Sequence, residues 1–278
     1  MNPLPQTAPR TTVTEAEIAA FDRDGFHIHP EPLFDAHEVA AIRDACDRVA
    51  ARRYATGVEP DCRAWEPGAP PTAVVKIDNA WKSDPTVLAA VTDARVARVA
   101  ARLIGADGMR LWHDQYLRKP ASGGGIVTWH QDWMFWQAID RPRTVTSWIA
   151  LDDVTVDQGP MLFIAGSHHG GLRLDLMPRD WTGGALPASP VAGDIVPVVV
   201  RAGQVTFHHA NLLHGSSVNA SGRDRVSIVS HLMAADCCYR PGHGHVCIER
   251  MLAQRDAPAP RERFRGPQFP WAWREQAG

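Results

Sequence analysis

Apolar residues recur at three- and four-residue intervals over the first third of the chain and in short β-branched runs farther on, and this change of period divides the sequence. Thr14-x-x-Glu17 ahead of Ile18, Ala19 and Phe21 is a capping-box signature, and Asp35-x-x-Glu38 ahead of Val39 is a second. In such a box a short polar side chain accepts from the backbone N–H three residues on, and the acid there reaches back. Each predicts a helix. In the second, Val39, Ile42, Cys46 and Val49 form one apolar stripe, enough for a helix of about four turns. Asp84-Pro85 predicts the opening of a third helix, with proline at its first position and Gly105 as its stop. Between them, Glu59 to Pro71 holds four prolines and reads as a loop that crosses a site.

From Leu111 onward the segments Val145–Leu151, Met161–Ala165, Ile195–Val200, Val205–His208 and Val226–Leu232 are β-branched or aromatic, punctuated by Gly, Pro, Asp and Asn. Helices first and closely spaced strands later predict a mainly β protein, with α-helices flanking an antiparallel jelly roll. The expected division is one domain over residues 1–278, opening with a disordered lead-in at 1–12 and a mostly helical flank at 13–105. The jelly-roll core then covers 106–235 and a C-terminal extension 236–278, docked through Phe269, Trp271 and Trp273.

Composition narrows the partners. The chain has 278 residues, 45% hydrophobic and 22% charged, the balance of a globular protein. Lys+Arg 29 against Asp+Glu 31 gives −2, so no overall field draws it to nucleic acid or an anionic membrane. A small molecule is the expected partner, for a monomer or homodimer. Residues 1–12 carry no apolar core of a signal peptide, and no apolar run approaches the roughly 18 residues of a bilayer helix. A cytoplasmic enzyme is therefore expected. Cys46, Cys62, Cys237, Cys238 and Cys247 are scattered without a CxxC pair, which suggests neither a disulfide framework nor a zinc ribbon.

The densest chemical signal is Trp129-His130-Gln131-Asp132-Trp133. On a strand, residues two apart share a face, so His130 and Asp132 can converge on one point. That supplies two-thirds of a 2-His-1-carboxylate triad, which leaves positions open on a non-haem Fe(II). The segment Ala202–Asn219 offers His208, His209 and His214 for the third ligand. His214, between Leu212-Leu213 and Gly215-Ser216, is the choice because a loop-to-strand junction lets it reach inward, whereas His208 and His209 read as ordinary strand or turn residues. Arg225 opens the apolar strand Val226–Leu232. An inward arginine is costly unless a carboxylate pairs with it, and its planar fork suits the far end of a dicarboxylate such as 2-oxoglutarate. His168-His169 reads as a turn and His243-Gly-His245 as chance.

In this order the motifs resemble those of the phytanoyl-CoA dioxygenase-like Fe(II)/2-oxoglutarate oxygenases: Ile18–Phe26 with its Asp24-Gly25-Phe26 turn, His130-Gln131-Asp132, Gly159-Pro160-Met161, Gly166-Ser167-His168, and His214-Gly-Ser with Asn219 and Arg225. The resemblance covers nearly the whole chain and implies a double-stranded β-helix, the cupin-like jelly roll. It further implies His130, Asp132 and His214 as iron ligands and Arg225 as the partner of the 2-oxoglutarate C5 carboxylate. Gln115, Trp148 and Lys76 fall where the family contacts the co-substrate. The activity implied is hydroxylation of a small-molecule C–H bond with O₂, releasing succinate and CO₂; desaturation, epimerisation or cyclisation share the same cofactor chemistry. An aspartate at 132 leaves no room for chloride on iron, which disfavours halogenation. Trp133 and Trp136 are the substrate-binding candidates, Trp136 because regular strand alternation would put it on the His130 face. A zinc hydrolase or a non-enzymatic metal-binding jelly roll uses the same three ligands, but neither has a use for Arg225.

Overall fold

Both capping boxes form in the computed structural model, which describes residues 10–121, 125–177, 185–253 and 257–275. Helix α1 (Glu15–Asp24) is capped by Thr14 and closed by Gly25, whose φ of 84° is a left-handed conformation that glycine adopts without strain. Helix α2 (Ala36–Ala50) buries the predicted stripe of Val39, Ile42, Cys46 and Val49. The third predicted helix is two, α3 (Pro85–Val91) and α4 (Ala94–Leu103). Asp93 divides them because its carboxylate accepts from the Arg95 N–H, which starts a new helix rather than continuing the old one.

Twelve strands follow among the described residues: β1 (Phe26–Ile28), β2 (Cys62–Arg63), β3 (Val75–Asp78), β4 (Gly108–Lys119), β5 (Val127–His130), β6 (Thr144–Ala150), β7 (Met161–Ile164), β8 (Ile195–Pro197), β9 (Val205–His209), β10 (His214–Ser216), β11 (Arg225–Ala234) and β12 (Trp271–Arg274). A last helix, α5 (Val246–Ala253), precedes β12. The larger sheet runs β1-β9-β6-β11-β4-β3-β2, with β12 also on β4, and the smaller runs β5-β10-β7-β8. All strand pairs are antiparallel. The jelly roll thus draws strands from both flanks. The segment expected to be helical supplies β1, β2 and β3, the loop Glu59–Pro71 contains β2, and the extension supplies β12. These pieces are too short to carry a legible alternation of their own, and it is pairing with long neighbours that makes them strands.

Alternation along β11 separates two environments. Val226, Ile228 and Leu232 enter the main core with the helices, and Ser230 Oγ donates to the Val91 carbonyl of α3. Arg225, Ser227, Val229 and His231 face the other way. The same holds for β4, where the Tyr116 hydroxyl donates to Asp47 of α2 while Lys119 reaches Ser216 of β10 in the smaller sheet. A second apolar cluster, including Trp148, Val229, Phe163 and Leu212, fills space between the sheets. The chain ends are tied down as well. Arg10 pairs with Glu17 at 2.6 Å, so the predicted disordered lead-in is fixed from residue 10, and residues 1–9 lie outside the described residues. Phe269 is fully buried and accepts from Arg110 through its carbonyl, as docking of the tail requires. Among the described residues no helix is long and apolar enough to cross a membrane.

Candidate active site

Antiparallel pairing of β5 with β10 sets His214 opposite His130, with ring centroids 4.1 Å apart. The strand stops there. Asp132 opens a 3-10 turn over Asp132–Met134, so it is this turn, not strand alternation, that swings its carboxylate back. Oδ1 of Asp132 lies 3.9 Å from His130 Nε2 and 3.7 Å from His214 Nε2. The three ligating atoms sit within 4.8 Å of one another, the one such metal-holding group found among the described residues. Nδ1 of His130 is 2.9 Å from the Thr128 carbonyl, and Nδ1 of His214 is 2.9 Å from that of Leu212. Each Nδ1–H therefore donates to backbone, which fixes the tautomer and leaves the Nε2 lone pair for a metal. Two imidazoles and one carboxylate, so oriented, fit a divalent iron.

The carboxylate is held from behind. Thr146 Oγ1 donates to Asp132 Oδ2 at 2.5 Å, and His208 Nε2 lies 3.1 Å from the same oxygen. His208, which reads in sequence as an ordinary strand histidine, thus contacts the Asp132 carboxylate. Only the register of β6 with β9, which sets Thr146 opposite His208, brings it there. Thr146 is in turn 3.0 Å from His231 Nδ1, and His231 stacks on His113 with centroids 4.3 Å apart. His113 meets His245 at 4.9 Å, so His245 is packed against this histidine cluster. Because β5 ends at His130, the alternation that would place Trp136 beside the ligands does not hold. Trp136 packs on His231 at 4.6 Å, and Trp133 is buried in the main core.

Burial pushes the His130 imidazole down to about 3, with His214 adding to it, and burial pushes His214 down to about 4. Both are neutral at pH 7, as ligation requires. Burial works to raise Asp132, but the His214 ring and the His208 hydrogen bond outweigh it and hold this carboxyl well below its usual range. Burial likewise lowers His231 to about 3 and His27 and His209 to about 4. Unfolded, these rings titrate near 6.5, so between about pH 4 and 6.5 the unfolded chain binds more protons. Stability is expected to fall as pH drops through that window. Thermal melts of the apoprotein test this: Tm should be lower at pH 5 than at pH 7, and equal values would contradict it.

A second constellation lies on the inner face of the larger sheet. Arg225 is 4% exposed, has no carboxylate partner among the described residues, and donates from Nη1 to the Gly159 carbonyl while its Nε finds no acceptor. Burial lowers it to about 10. Opposite it in the β4–β11 register stands Lys119, 2% exposed, donating to Ser216 Oγ at 2.7 Å and to the Ser217 carbonyl. Burial, then Arg225, pushes Lys119 down to about 6, a lysine short of an anion. Sequence reasoning missed it, although it shares strand parity with Gln115, four residues earlier. Trp148 lies with its ring 5.8 Å from the Arg225 guanidinium. Gln115 is half-buried opposite Val229, and Lys76 on β3 stands opposite Leu117, 41% exposed and engaged by Asp78 at 2.8 Å.

Gly159, whose carbonyl orients Arg225, has φ 59°, and a Cβ there would lie 2.5 Å from the Ser217 carbonyl oxygen. Gly159→Ala is expected to destabilise the fold by about 1–3 kcal/mol. A denaturant melt with unchanged midpoint would contradict this.

A profile of the phytanoyl-CoA dioxygenase (PhyH) family matches residues 21–227. The phytanoyl-CoA dioxygenase domain-containing protein 1 of Bos taurus is 29% identical over 174 residues, which cover 60% of this chain and 59% of that protein. The chain thus matches less than two-thirds of that relative's length. Among solved structures, the non-haem alpha-ketoglutarate-dependent carbocyclase SnoK from nogalamycin biosynthesis superposes with a TM-score of 0.71 at 26% identity, over 93% of this chain and 96% of that one. The epimerase SnoN in complex with Fe³⁺, alpha-ketoglutarate and nogalamycin RO gives a TM-score of 0.69 at 28% identity, over 93% and 98%.

Proposed function

This chain belongs to the phytanoyl-CoA dioxygenase (PhyH) family, and on that premise we propose that it is an Fe(II)/2-oxoglutarate-dependent oxygenase acting on a C–H bond of a small molecule. His130, Asp132 and His214 would hold Fe(II). Arg225 and Lys119 would bind the C5 carboxylate of 2-oxoglutarate, with Trp148 as an apolar wall and Gln115 and Lys76 farther along the same face. Bound iron with 2-oxoglutarate and O₂ supplies oxidative decarboxylation to succinate and CO₂, coupled to oxidation of the substrate. The chain's own part is positional. With these three residues as its protein ligands, the metal would keep positions free for co-substrate and O₂. Thr146 and His208 stop Asp132 from turning away, and the buried surroundings keep bulk water from the reacting centre.

The observation that carries this reading is the buried, carboxylate-free Arg225 beside Lys119 in the same interior as the triad. A hydrolase or a storage protein has no need of two desolvated cations there; a dicarboxylate co-substrate does. Hydroxylation is the outcome favoured for the substrate. Cyclisation and epimerisation are the other outcomes supported, because SnoK and SnoN are a carbocyclase and an epimerase. Trp133 and Trp136 lie off the ligand face, Trp133 in the core and Trp136 against His231, and would act on a substrate indirectly rather than by stacking. Succinate release tests the assignment: slow formation from 2-oxoglutarate that needs both Fe(II) and O₂ is expected. Zinc-supported hydrolysis without O₂ would overturn it.

A further inference from the structure

A cleft of about 510 Å³ opens at the end of β11 opposite Arg225, lined by Arg110, Arg143, Arg263, Arg265, Asp107 and Trp271 among others. β11 is ten residues long, so this cleft and the Arg225 end of the strand are separated by about 30 Å. Its charges are unbalanced. Asp236, also on the wall, is already shared by Arg141 at 3.0 Å and Arg143 at 3.2 Å. Arg110, Arg263 and Arg265 have no carboxylate partner among the described residues, and against them stands only the Asp107 carboxylate, itself without an ion pair. Arg110 is 9% exposed and spends one donor on the Phe269 carbonyl, while its guanidinium lies 3.8 Å from the Trp271 ring centroid. The charges that act most on Arg110 are those of Arg265 and Arg274, both positive.

A buried guanidinium that has one carbonyl and one aromatic ring as partners and like charges beside it favours an anion alongside. Two surplus positive charges match a dianion. Several forks lining one cleft, Arg110 on β4 and Arg143, Arg263 and Arg265 on the segments before β6 and β12, suit the tetrahedral oxygens of phosphate better than a planar carboxylate. The cleft exceeds what bare phosphate fills, and Trp271, 42% exposed, offers an apolar surface to an organic group. We infer that this cleft is a second binding site, for the phosphate monoester of a small organic molecule, with the phosphate on Arg110 and Arg265 and the organic part against Trp271.

Calorimetric titration of the full chain at low ionic strength, with phenyl phosphate as probe and inorganic phosphate as comparison, tests this. Saturable one-to-one binding of phenyl phosphate is expected, tighter than that of inorganic phosphate and weakened by added salt. Arg265→Met, at an exposed residue, should weaken it about tenfold. Arg110→Met should do the same where it folds, and Arg225→Leu should leave it unchanged. Absence of saturable binding, or affinity unaltered in Arg265→Met, would overturn the inference. So would loss of binding in Arg225→Leu, which would assign the probe to the other cation pair. Equal affinity for inorganic phosphate would remove the organic part.

Discussion

Arg225→Leu is expected to lose 2-oxoglutarate while keeping its metal. Leucine fills much of the same volume but removes the fork, and it leaves Lys119, which burial still lowers, as the cation facing the C5 carboxylate among the described residues. Truncating one partner of a buried charge pair costs about 2–5 kcal/mol, which is about 30- to 4,000-fold in Kd. Arg225→Lys should fall between wild type and leucine, since an ammonium keeps the charge but not the two-pronged geometry. Metal affinity should not change, because Arg225 contacts Gly159 and Trp148 and none of the ligands. Calorimetry with 2-oxoglutarate on the zinc-loaded, redox-inert protein separates the two effects. Unchanged co-substrate affinity in the leucine variant would contradict the assignment.

The second large effect is expected at the metal. His214→Ala removes one of two neutral imidazoles and should abolish measurable Co(II) or Fe(II) binding, whereas Thr146→Val should weaken it about 10- to 100-fold by freeing Asp132 to rotate. His208 makes this informative. Its ring is 4.5 Å from that of His214, and its Nε2 lies within 3.1 Å of Asp132. If His208 only buttresses the carboxylate, His208→Ala should resemble Thr146→Val. Wild-type affinity in His214→Ala with loss in His208→Ala would exchange their roles.

Much of this site is legible in the sequence because its parts are local. His130 and Asp132 are two residues apart, and Arg225 opens a strand whose apolar run is obvious. The capping boxes of α1 and α2 are likewise local, each closed within four residues. What escaped depends on pairing across the sheet. Lys119 matters because β4 runs beside β11 in one register, and His208 because β9 sets it opposite Thr146. A slip of one residue in either register would turn these side chains to the other face, and nothing in their own neighbourhood specifies it. Trp136 loses its strand parity with His130 for the reverse reason, because a turn at Asp132 ends the strand before it. The helix expected from Asp84 to Gly105 divides in two because Asp93 caps a new helix inside a continuous apolar pattern.

In the proposed site one interior would hold iron on His130, Asp132 and His214 and 2-oxoglutarate on Arg225. Anaerobic titration of the apoprotein with Fe(II) and then 2-oxoglutarate tests it directly through the visible charge-transfer band of the iron–2-oxoglutarate chelate. The band should appear only with both additions, and should be absent in His130→Ala at any 2-oxoglutarate concentration. In Arg225→Leu it should require far more 2-oxoglutarate. No band in the wild-type protein, or an equal band in His130→Ala, would contradict the account.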